Sequence, residues 1–160
     1  MTDRKLARRA RLLRLGLNLY PPYLGAGIRV QRISADCREA RVKMALRWYN
    51  RNFVGTQFGG SLYSMIDPFY MLLLMPLLGD DYIVWDKAAS IDFVSPGKGP
   101  VFADFRIDDA LLAEIRDKTA SGDKYLPELH VEIRDGEGTL VATAHKTLYV
   151  RLKPRARQAA

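Results

Sequence analysis

Residues 61–78 read SLYSMIDPFYMLLLMPLL, the most apolar stretch of the chain, and they directly follow the glycine pair Gly59-Gly60. Asp67 and Pro68 lie near the middle of the stretch and Pro76 near its end. These residues interrupt it, and it falls short of the ~20 apolar residues that a membrane span requires. We therefore predict a buried helix that begins at the glycine pair.

The segments on both sides of this helix alternate apolar and polar residues, which is typical of half-buried strands. Before the helix, a strand is predicted at 42–48, with Val42, Met44, Leu46 and Trp48 on one face, and a weaker one at 28–33. After it, the pattern predicts strands at 83–94, 101–107, 125–134 and 139–152, a short helix at 110–118 and a hairpin turn at 135–138. Strands on both sides of one central helix predict an α+β fold, in which an antiparallel sheet wraps around that helix.

Length and composition limit the class of protein. The chain has 160 residues, of which 48% are hydrophobic, so it can form one domain with a substantial core. Cys37 is the only cysteine, which excludes a disulfide scaffold. The formal net charge of +7 would suit a nucleic-acid-binding protein if the cations formed a patch on the folded body.

The positive charge is concentrated at the two ends of the chain. The first 14 residues carry six cations against Asp3, a net charge of +5, and the last ten residues carry +4. The body between them therefore carries −2. Because groove-binding surfaces are normally built into the folded body, we do not expect nucleic acid as a partner.

The N-terminal run 4–17 has helical spacing, with Leu6, Ala10, Leu13 and Leu17 on one face. It fits a helix that packs its leucines on the domain, a basic amphipathic helix in peripheral contact with a membrane, or a transit peptide. Residues 18–27 contain two prolines and two glycines, which predict the end of this helix and then extended chain. The expected organisation is an N-terminal helix at 1–19, the main domain at 20–153 and a basic tail at 154–160. We expect a cytoplasmic location, since Arg14 interrupts any secretory signal.

Several kinds of chemistry find no support in the sequence. His130 and His145 have no His, Cys or carboxylate set with zinc-like spacing, so no metal site is predicted and both are expected to be structural or surface groups. Ser61 lacks the final glycine of a nucleophile elbow, because Tyr63 stands there. Cys37 has no positioned histidine, so it is expected to be a passive thiol.

The glycine pair and Asp67 form the one arrangement that suggests chemistry. The first amides of a helix have no intrahelical acceptor and lie at the positive end of its dipole, and glycines allow close approach to them. A carbonyl oxygen bound there would be polarised and stabilised as an oxyanion. Ser64 and Asp67 follow Gly60 at i+4 and i+7, so the three share one helix face.

Two interpretations of Asp67 remain open on the residue pattern alone. Asp67-Pro68 fits an N-cap followed by proline at the first helical position, or a carboxylate paired within the core. Alternatively, Asp67 is a base or nucleophile, and its apolar neighbours would raise the pKa of its carboxyl group toward neutrality.

A family resemblance covers residues 20–153. Asn52-x-x-Gly55-x-x-Phe58-Gly59-Gly60, with an acid seven residues later, resembles the N-x-x-G-x-x-H-G-G signature of hot dog thioesterases related to the phenylacetate-pathway enzyme PaaI. Further stretches look like an uncharacterised hot dog family similar to the C-terminal thioesterase-like domain of YiiD-type putative acetyltransferases: Tyr20-Pro21-Pro22, Gly25-Ala26-Gly27-Ile28, Phe58-Gly59-Gly60-Ser61-Leu62-Tyr63, Asp67-Pro68-Phe69-Tyr70 and Val84-Trp85-Asp86-Lys87.

This resemblance implies a homodimer or tetramer with active sites at the dimer interface. The Gly60 amide would polarise a thioester carbonyl, Asp67 of the facing subunit would act as base or nucleophile, and Asn52 would orient water. The residues implied to contact substrate are Gly59, Gln57, Phe58, Ser64 and, for a phosphate of coenzyme A, Lys98. Phe58 replaces the family histidine, so any proton transfer by that side chain is lost.

The expected function is therefore hydrolysis of an acyl-CoA or related thioester, with no cofactor beyond the coenzyme A of the substrate. The alternative is a hot dog protein that binds acyl groups or lipids without catalysis, which Phe58 and the amphipathic N-terminus favour. A hot dog dehydratase is less well supported, since no histidine lies between Asn52 and Asp67.

Overall fold

A computed structural model describes residues 3–154, and within that range the chain forms five helices and seven strands. In chain order these are α1 (Asp3–Leu19), α2 (Pro21–Ala26), β1 (Ile28–Ile33), β2 (Glu39–Met44), α3 (Gly59–Ser64), α4 (Phe69–Leu78), β3 (Tyr82–Phe93), β4 (Val101–Arg106), α5 (Asp109–Thr119), β5 (Lys124–Tyr125), β6 (Glu128–Asp135) and β7 (Leu140–Leu152). The predicted basic tail lies outside the described residues from 155 onward.

The strands form one antiparallel sheet in the order β1-β2-β4-β6-β7-β3, with the short β5 also paired to β7. The predicted hairpin joins β6 to β7, and the Asp135 carboxylate accepts hydrogen bonds from the amides of Glu137 and Thr139. β1 and β3 are the outer strands of this order, and β3 has 12 residues. The predicted α+β class, with an antiparallel sheet around a central helical segment, is confirmed.

The central helical segment, α3 and α4 together, buries one side in the sheet. Its largest buried side chains include Met65, Ile66, Phe69, Leu73 and Leu74. The ring of Phe69 stacks on Phe105 of β4, with centroids 4.8 Å apart. Residues 59–78 are long and apolar enough to cross a membrane, but this packing accounts for their composition as a core helix.

The central segment is not one continuous helix, because residues 65–68 form turns between α3 and α4. Proline has no amide proton, so Pro68 cannot donate the helical hydrogen bond to the Ser64 carbonyl, and its ring clashes with the preceding turn. The α-helical hydrogen bonding of α3 therefore ends there. The single buried helix predicted after the glycine pair is therefore two helices, α3 and α4.

Two local predictions before the central segment are wrong. β2 ends at Met44, so the strand predicted to continue to Trp48 stops four residues early and leaves Trp48 82% exposed. The Asn50 side chain causes this: it accepts from the Arg47 amide at 2.6 Å and donates to the carbonyls of Ala26 and Ala45, both at 2.7 Å. Residues 21–26 are also helical rather than extended.

The helix α2 begins with its two prolines at the first helical positions, where a missing amide proton costs nothing. Gly27 ends it in the left-handed conformation, with φ 73°. A Cβ at Gly27 would lie 2.4 Å from Nδ2 of Asn50, so the glycine also admits the Asn50 side chain.

The N-terminal helix α1 packs on the outer strand β1. Ala10 is buried, and Leu6, Leu13 and Leu17 are half-buried on the same face, which confirms the packing that the spacing predicted. Asn18 extends this contact, because its side chain accepts from the Val30 amide at 2.8 Å and donates to the Val30 carbonyl at 3.0 Å. Leu12, Leu15 and Leu19 are exposed, and membrane contact stays a prediction.

Asn18 supplies to β1 the two hydrogen bonds that a neighbouring strand would make. We expect Asn18→Ala to lower the free energy of unfolding by about 2 kcal/mol, since two bonds are lost and both Val30 groups lose their partner. Chemical denaturation measures this, and hydrogen exchange should show faster exchange in α1. Gln31→Ala, which removes an exposed amide from the same strand, is the control. Equal stability of the two variants would contradict this role of Asn18.

Candidate active site

The loop 52–58 leads directly into α3, and the Asn52 side chain holds its shape. Oδ1 of Asn52 accepts from the amides of Val54 and Thr56, and Nδ2 donates to Thr56 Oγ1 at 2.9 Å and to the Gln57 carbonyl at 3.3 Å. These four bonds use the full hydrogen-bonding capacity of an asparagine amide. The structure thus assigns Asn52 to the loop, and orientation of a water molecule stays a prediction.

Gln57 lies beneath the surface, with 3% of the residue exposed. Its backbone amide donates to the Gly97 carbonyl at 2.9 Å. Its side-chain Nε2 donates to the carbonyl of Gly99 at 3.0 Å and, more weakly, to that of Met44 at 3.5 Å. Gly97 leaves room for this side chain, because a Cβ there would lie 2.9 Å from its Cγ. Gln57 therefore connects the loop to the 95–100 turn and to the end of β2.

The glycine pair begins α3 as predicted. The Phe58 carbonyl accepts from the amides of Ser61 and Leu62, so the amides of Gly59 and Gly60 precede the first intrahelical bonds and have no acceptor among residues 3–154. Aromatic rings lie close to both glycines: a Cβ at Gly59 would be 2.8 Å from Cζ of Phe93, and one at Gly60 would be 2.6 Å from Cε1 of Phe58. A Cβ at either glycine would therefore displace the neighbouring ring.

A cleft of about 370 Å³ lies beside the pair, between the loop and the end of β3. Among its lining residues are Asn52, Gln57, Gly59, Phe93 and Gly97. Three predicted site residues, Asn52, Gln57 and Gly59, thus line this cleft, and Phe58 directly precedes Gly59. Lys98 is exposed in the turn that forms one wall of the cleft.

Ser64 and Asp67 lie on the open face of the central segment, as their spacing predicts, and both are half-buried. The Ser64 hydroxyl donates to the Gly60 carbonyl at 2.9 Å, so it bonds within its own helix. In a continuous helix seven residues would span about two turns, or ~10 Å, and the turns at 65–68 lie between the Gly60 amide and Asp67.

Asp67 does not cap α4, whose N-cap position is Pro68 without a side-chain hydrogen bond. Its carboxylate instead accepts from Nζ of Lys146 on β7 at 2.8 Å, and Asp86 Oδ1 on β3 lies 2.9 Å from the same nitrogen, without the alignment of a hydrogen bond. The Lys146 side chain is fully buried, whereas that of Asp67 is 44% exposed and that of Asp86 21%. Asp67 is thus paired with Lys146 rather than with the start of α4, and 44% of its side chain is exposed.

Lys146 is the residue of this site that sequence reasoning missed. β7 buries Ala142, Ala144, Leu148 and Val150 on one face, and Lys146 stands on that same face. A cation in phase with buried apolar positions indicates a paired charge, because a lone buried ammonium is too costly. That signal was available, but its partners are 79 and 60 residues away in sequence.

Asp86 and Lys146 have shifted pKa values in this cluster. Burial raises the pKa of Asp86 above its ordinary value, and the close contact and charge of Lys146 oppose this only in part. Burial acts to lower the pKa of Lys146, but its contacts with Asp67 and Asp86 and their charges outweigh burial and raise that pKa. Lys146 is therefore an ammonium at neutral pH, shared by two carboxyl groups.

The two histidines lie away from this site, on exposed positions of β6 and β7. They are cross-strand partners with ring centroids 5.0 Å apart, a proximity that sequence spacing did not predict. Within residues 3–154 no group of three His, Cys, Asp or Glu residues could hold a metal ion.

Solved structures with the same fold are reported as thioesterases or related proteins. Protein PA5026 of Pseudomonas aeruginosa, described as a probable thioesterase, is 20% identical, with a TM-score of 0.76 over 89% of this chain and 95% of that one. Thioesterase HI1161 of Haemophilus influenzae is 14% identical, with a TM-score of 0.65 over 89% and 90%. The PaaI protein of the Escherichia coli phenylacetic acid degradation operon is 15% identical, with a TM-score of 0.60 over 92% and 95%.

These likenesses show the hot dog fold that the sequence motif suggested. A family model described as a domain of unknown function, DUF4442, matches residues 8–150. No curated protein matches the chain. The narrower resemblance to YiiD-type proteins stays a prediction.

Removal of the buried ammonium should be costly. We expect Lys146→Met to lower the free energy of unfolding at neutral pH by about 3 kcal/mol, because Asp86 is left buried without its cation. Thermal and chemical unfolding measure this, with Lys87→Met, which removes an exposed ammonium from β3, as control.

The deficit of Lys146→Met should shrink on acidification. The folded-state pKa of Asp86 is already raised, so protonation is favoured in the folded protein, and a neutral Asp86 no longer needs a cation. Stability of the variant relative to wild type should therefore rise as the pH falls through the folded-state pKa of Asp86. A deficit that does not change with pH would contradict the pairing.

Proposed function

This chain belongs to the DUF4442 family, and we propose that it hydrolyses acyl-CoA thioesters with Asp67 as the base or nucleophile. The observation that carries the proposal is the half-exposed Asp67 carboxylate on the open face of the central helical segment, held by the buried Lys146. A carboxylate that is held in place by a buried cation and is also exposed to solvent is suited to act on a bound substrate.

The amides at the start of α3 would bind the thioester carbonyl oxygen. They have no acceptor within the described residues, and they lie at the positive end of α3. As the carbonyl carbon is attacked, negative charge develops on its oxygen, and the Gly60 amide would stabilise that charge. This contribution uses only backbone atoms, so the replacement of the family histidine by Phe58 does not remove it.

Asp67 would complete the reaction in one of two ways. As a base it takes a proton from water while the water oxygen bonds to the carbonyl carbon; the carbon–sulfur bond then breaks, and the leaving thiolate takes that proton from Asp67 to become the free thiol. As a nucleophile it forms an anhydride that water hydrolyses, which yields the same acid and thiol. Lys146 is in contact with the Asp67 carboxylate in both cases, and no cofactor is required because coenzyme A is part of the substrate.

A second copy of the chain would bring the two groups together. β3 is an outer strand of 12 residues, and it carries the exposed side chains of Trp85 and Phe93. A strand of this length with one free edge is a template for pairing with another strand. We propose a homodimer or tetramer in which Asp67 of one subunit faces Gly60 of its neighbour.

The alternative, binding of an acyl group without hydrolysis, is favoured by one observation. The ring of Phe58 lies against Gly60, and Phe93 and Val94 add exposed apolar surface beside the same cleft. Native mass spectrometry of the purified chain distinguishes the two functions. An acyl ligand that is retained and remains intact over hours would support binding, whereas released thiol would support hydrolysis.

The first test of hydrolysis is Asp67→Asn. We expect the purified chain to release free thiol from acyl-CoAs, and the variant to lose at least ~100-fold in kcat, because an amide neither accepts the proton nor attacks the carbon. Asp104→Asn, at an exposed ion pair distant from the site, is the control. No release by wild type across short, medium, long and aromatic acyl-CoAs would overturn the enzymatic function.

Gly60→Pro tests the backbone amide. Proline is tolerated in the first turn of a helix and removes the amide proton, so kcat should fall by ~10²-fold if that proton binds the oxyanion. Gly60→Ala places a Cβ against Phe58 in the same way but keeps the proton, and it is the matched control. Equal activity of the two variants would exclude the Gly60 amide.

Co-expression of the two inactive variants tests the facing-subunit arrangement. A heterodimer of Asp67→Asn with Gly60→Pro has one site that combines both intact groups. A mixed preparation should therefore recover about a quarter of wild-type activity. If both groups act within one protomer, the mixture stays inactive.

A further inference from the structure

We propose that the cleft between α2 and the outer face of β1 and β2 binds the phosphorylated adenine nucleotide of the substrate, and that Arg29, Lys43 and Arg47 hold its phosphates. This inference rests on the proposed function only for the source of the nucleotide, which is coenzyme A. The cleft has a volume of about 390 Å³, within the range of small-molecule sites, and all three cations line it.

The charges of this cleft are unbalanced, unlike the rest of the same two strands. Arg29 and Lys43 are direct cross-strand partners, and like charges in that position repel. The next cationic pair, Arg32 and Arg41, is neutralised by ion pairs of 2.8 Å to Glu39 and 3.0 Å to Asp104. Within residues 3–154 no carboxylate pairs with Arg29, Lys43 or Arg47.

An anion would remove this repulsion. Arg29 and Arg47 are exposed, and Lys43 is half-buried with Nζ 5.7 Å from the centre of the Phe102 ring, so none of the three side chains is committed to another charged partner. Guanidinium groups bind phosphate oxygens in pairs, and an ammonium adds a third donor. Three cations around one concave site therefore suit a ligand with more than one phosphate.

Aromatic side chains supply a surface for a base. Tyr49 lines the cleft and is 51% exposed, and the neighbouring Trp48 is 82% exposed. Their rings meet edge to face, with centroids 5.5 Å apart, which leaves broad ring surface open to solvent. A base stacks on such surfaces whatever its sequence context, and phosphates beside it fit the cations.

The cleft is joined to the candidate active site through the end of β2. Lys43 and Ala45 flank Met44, whose carbonyl is contacted by Nε2 of Gln57 in the active-site loop. Asn50, which fixes the segment that carries Arg47 and Tyr49, bonds to the Ala45 carbonyl. The two clefts are thus linked by hydrogen bonds through the end of β2.

Binding measurements on the full chain test this proposal without any need for hydrolysis. Isothermal titration should detect adenosine 3′,5′-bisphosphate and coenzyme A, and Arg29→Gln/Lys43→Gln/Arg47→Gln should weaken both by at least about tenfold. The matched control is Arg4→Gln/Arg8→Gln/Arg11→Gln, which removes the same number of charges from exposed positions of α1 and should bind as wild type does. Pantetheine, which lacks the nucleotide, should not distinguish the variants.

Thermal unfolding separates loss of binding from loss of folding. Without ligand the cleft variant should be at least as stable as wild type, because a repulsive pair is removed. With nucleotide, wild type should gain stability and the cleft variant should not. Equal nucleotide affinity of wild type and the cleft variant, or no affinity in wild type, would overturn the proposal. Tighter binding of an RNA oligomer than of the mononucleotide would overturn it in favour of nucleic acid.

Kinetics distinguish this proposal from the proposed function. If wild type hydrolyses acyl-CoA with a lower KM than acyl-pantetheine, and the cleft variant loses that preference with unchanged kcat, both stand. If no thioester is hydrolysed but nucleotide binding depends on the three cations, the hydrolytic function fails and the subsite stands. If both thioesters are hydrolysed with equal KM by wild type, the subsite fails and the function stands.

Discussion

The structure depends on one buried charge. Lys146 lies with its side chain fully buried on the apolar face of β7, and an ammonium in that place is tolerable only with carboxylates in contact. Asp86 comes from the neighbouring strand β3, and Asp67 comes from the turn between α3 and α4. The cluster therefore attaches the central helical segment to the sheet at the point where the helix is interrupted. It also leaves a net negative charge, which is partly open to solvent at Asp67.

The break at Pro68 and the cluster belong together. In a continuous helix each side chain is rotated by 100° from the one before it. The turns at 65–68 depart from that rotation, so Asp67 reaches Nζ of Lys146 while Met65, Ile66 and Phe69 stay in the core. The first of the two helices is short, so its free amides lie close to the loop that Asn52 shapes. Both features of the proposed chemistry, the free amides and the held carboxylate, thus follow from one apolar segment with a proline inside it.

The elements that could be predicted from sequence are those fixed by local patterns. The strand at 28–33, the long strands that follow the central segment and the 135–138 hairpin agree closely with the alternation and turn residues. The end of β2 could not be predicted, because three hydrogen bonds made by the Asn50 side chain override the alternation from Val42 to Trp48. One of these bonds is to Ala26, which is 24 residues away in sequence. Among the site residues, the glycine pair and Asp67 were found by spacing, but Lys146 was not, since its partners are joined to it only by the sheet register and the core packing.

The formal net charge of +7 does not describe how charge is distributed on the folded body. The body between the two basic ends carries a small net negative charge, yet its cations are not evenly neutralised. Arg32 and Arg41 on the outer face of β1 and β2 have acidic partners, whereas Arg29 and Lys43, three and two residues along the same strands, have none within the described chain. An unneutralised pair of like charges costs stability in the free protein. Local imbalance of charge, rather than the total of +7, is therefore the electrostatic feature that points to a ligand.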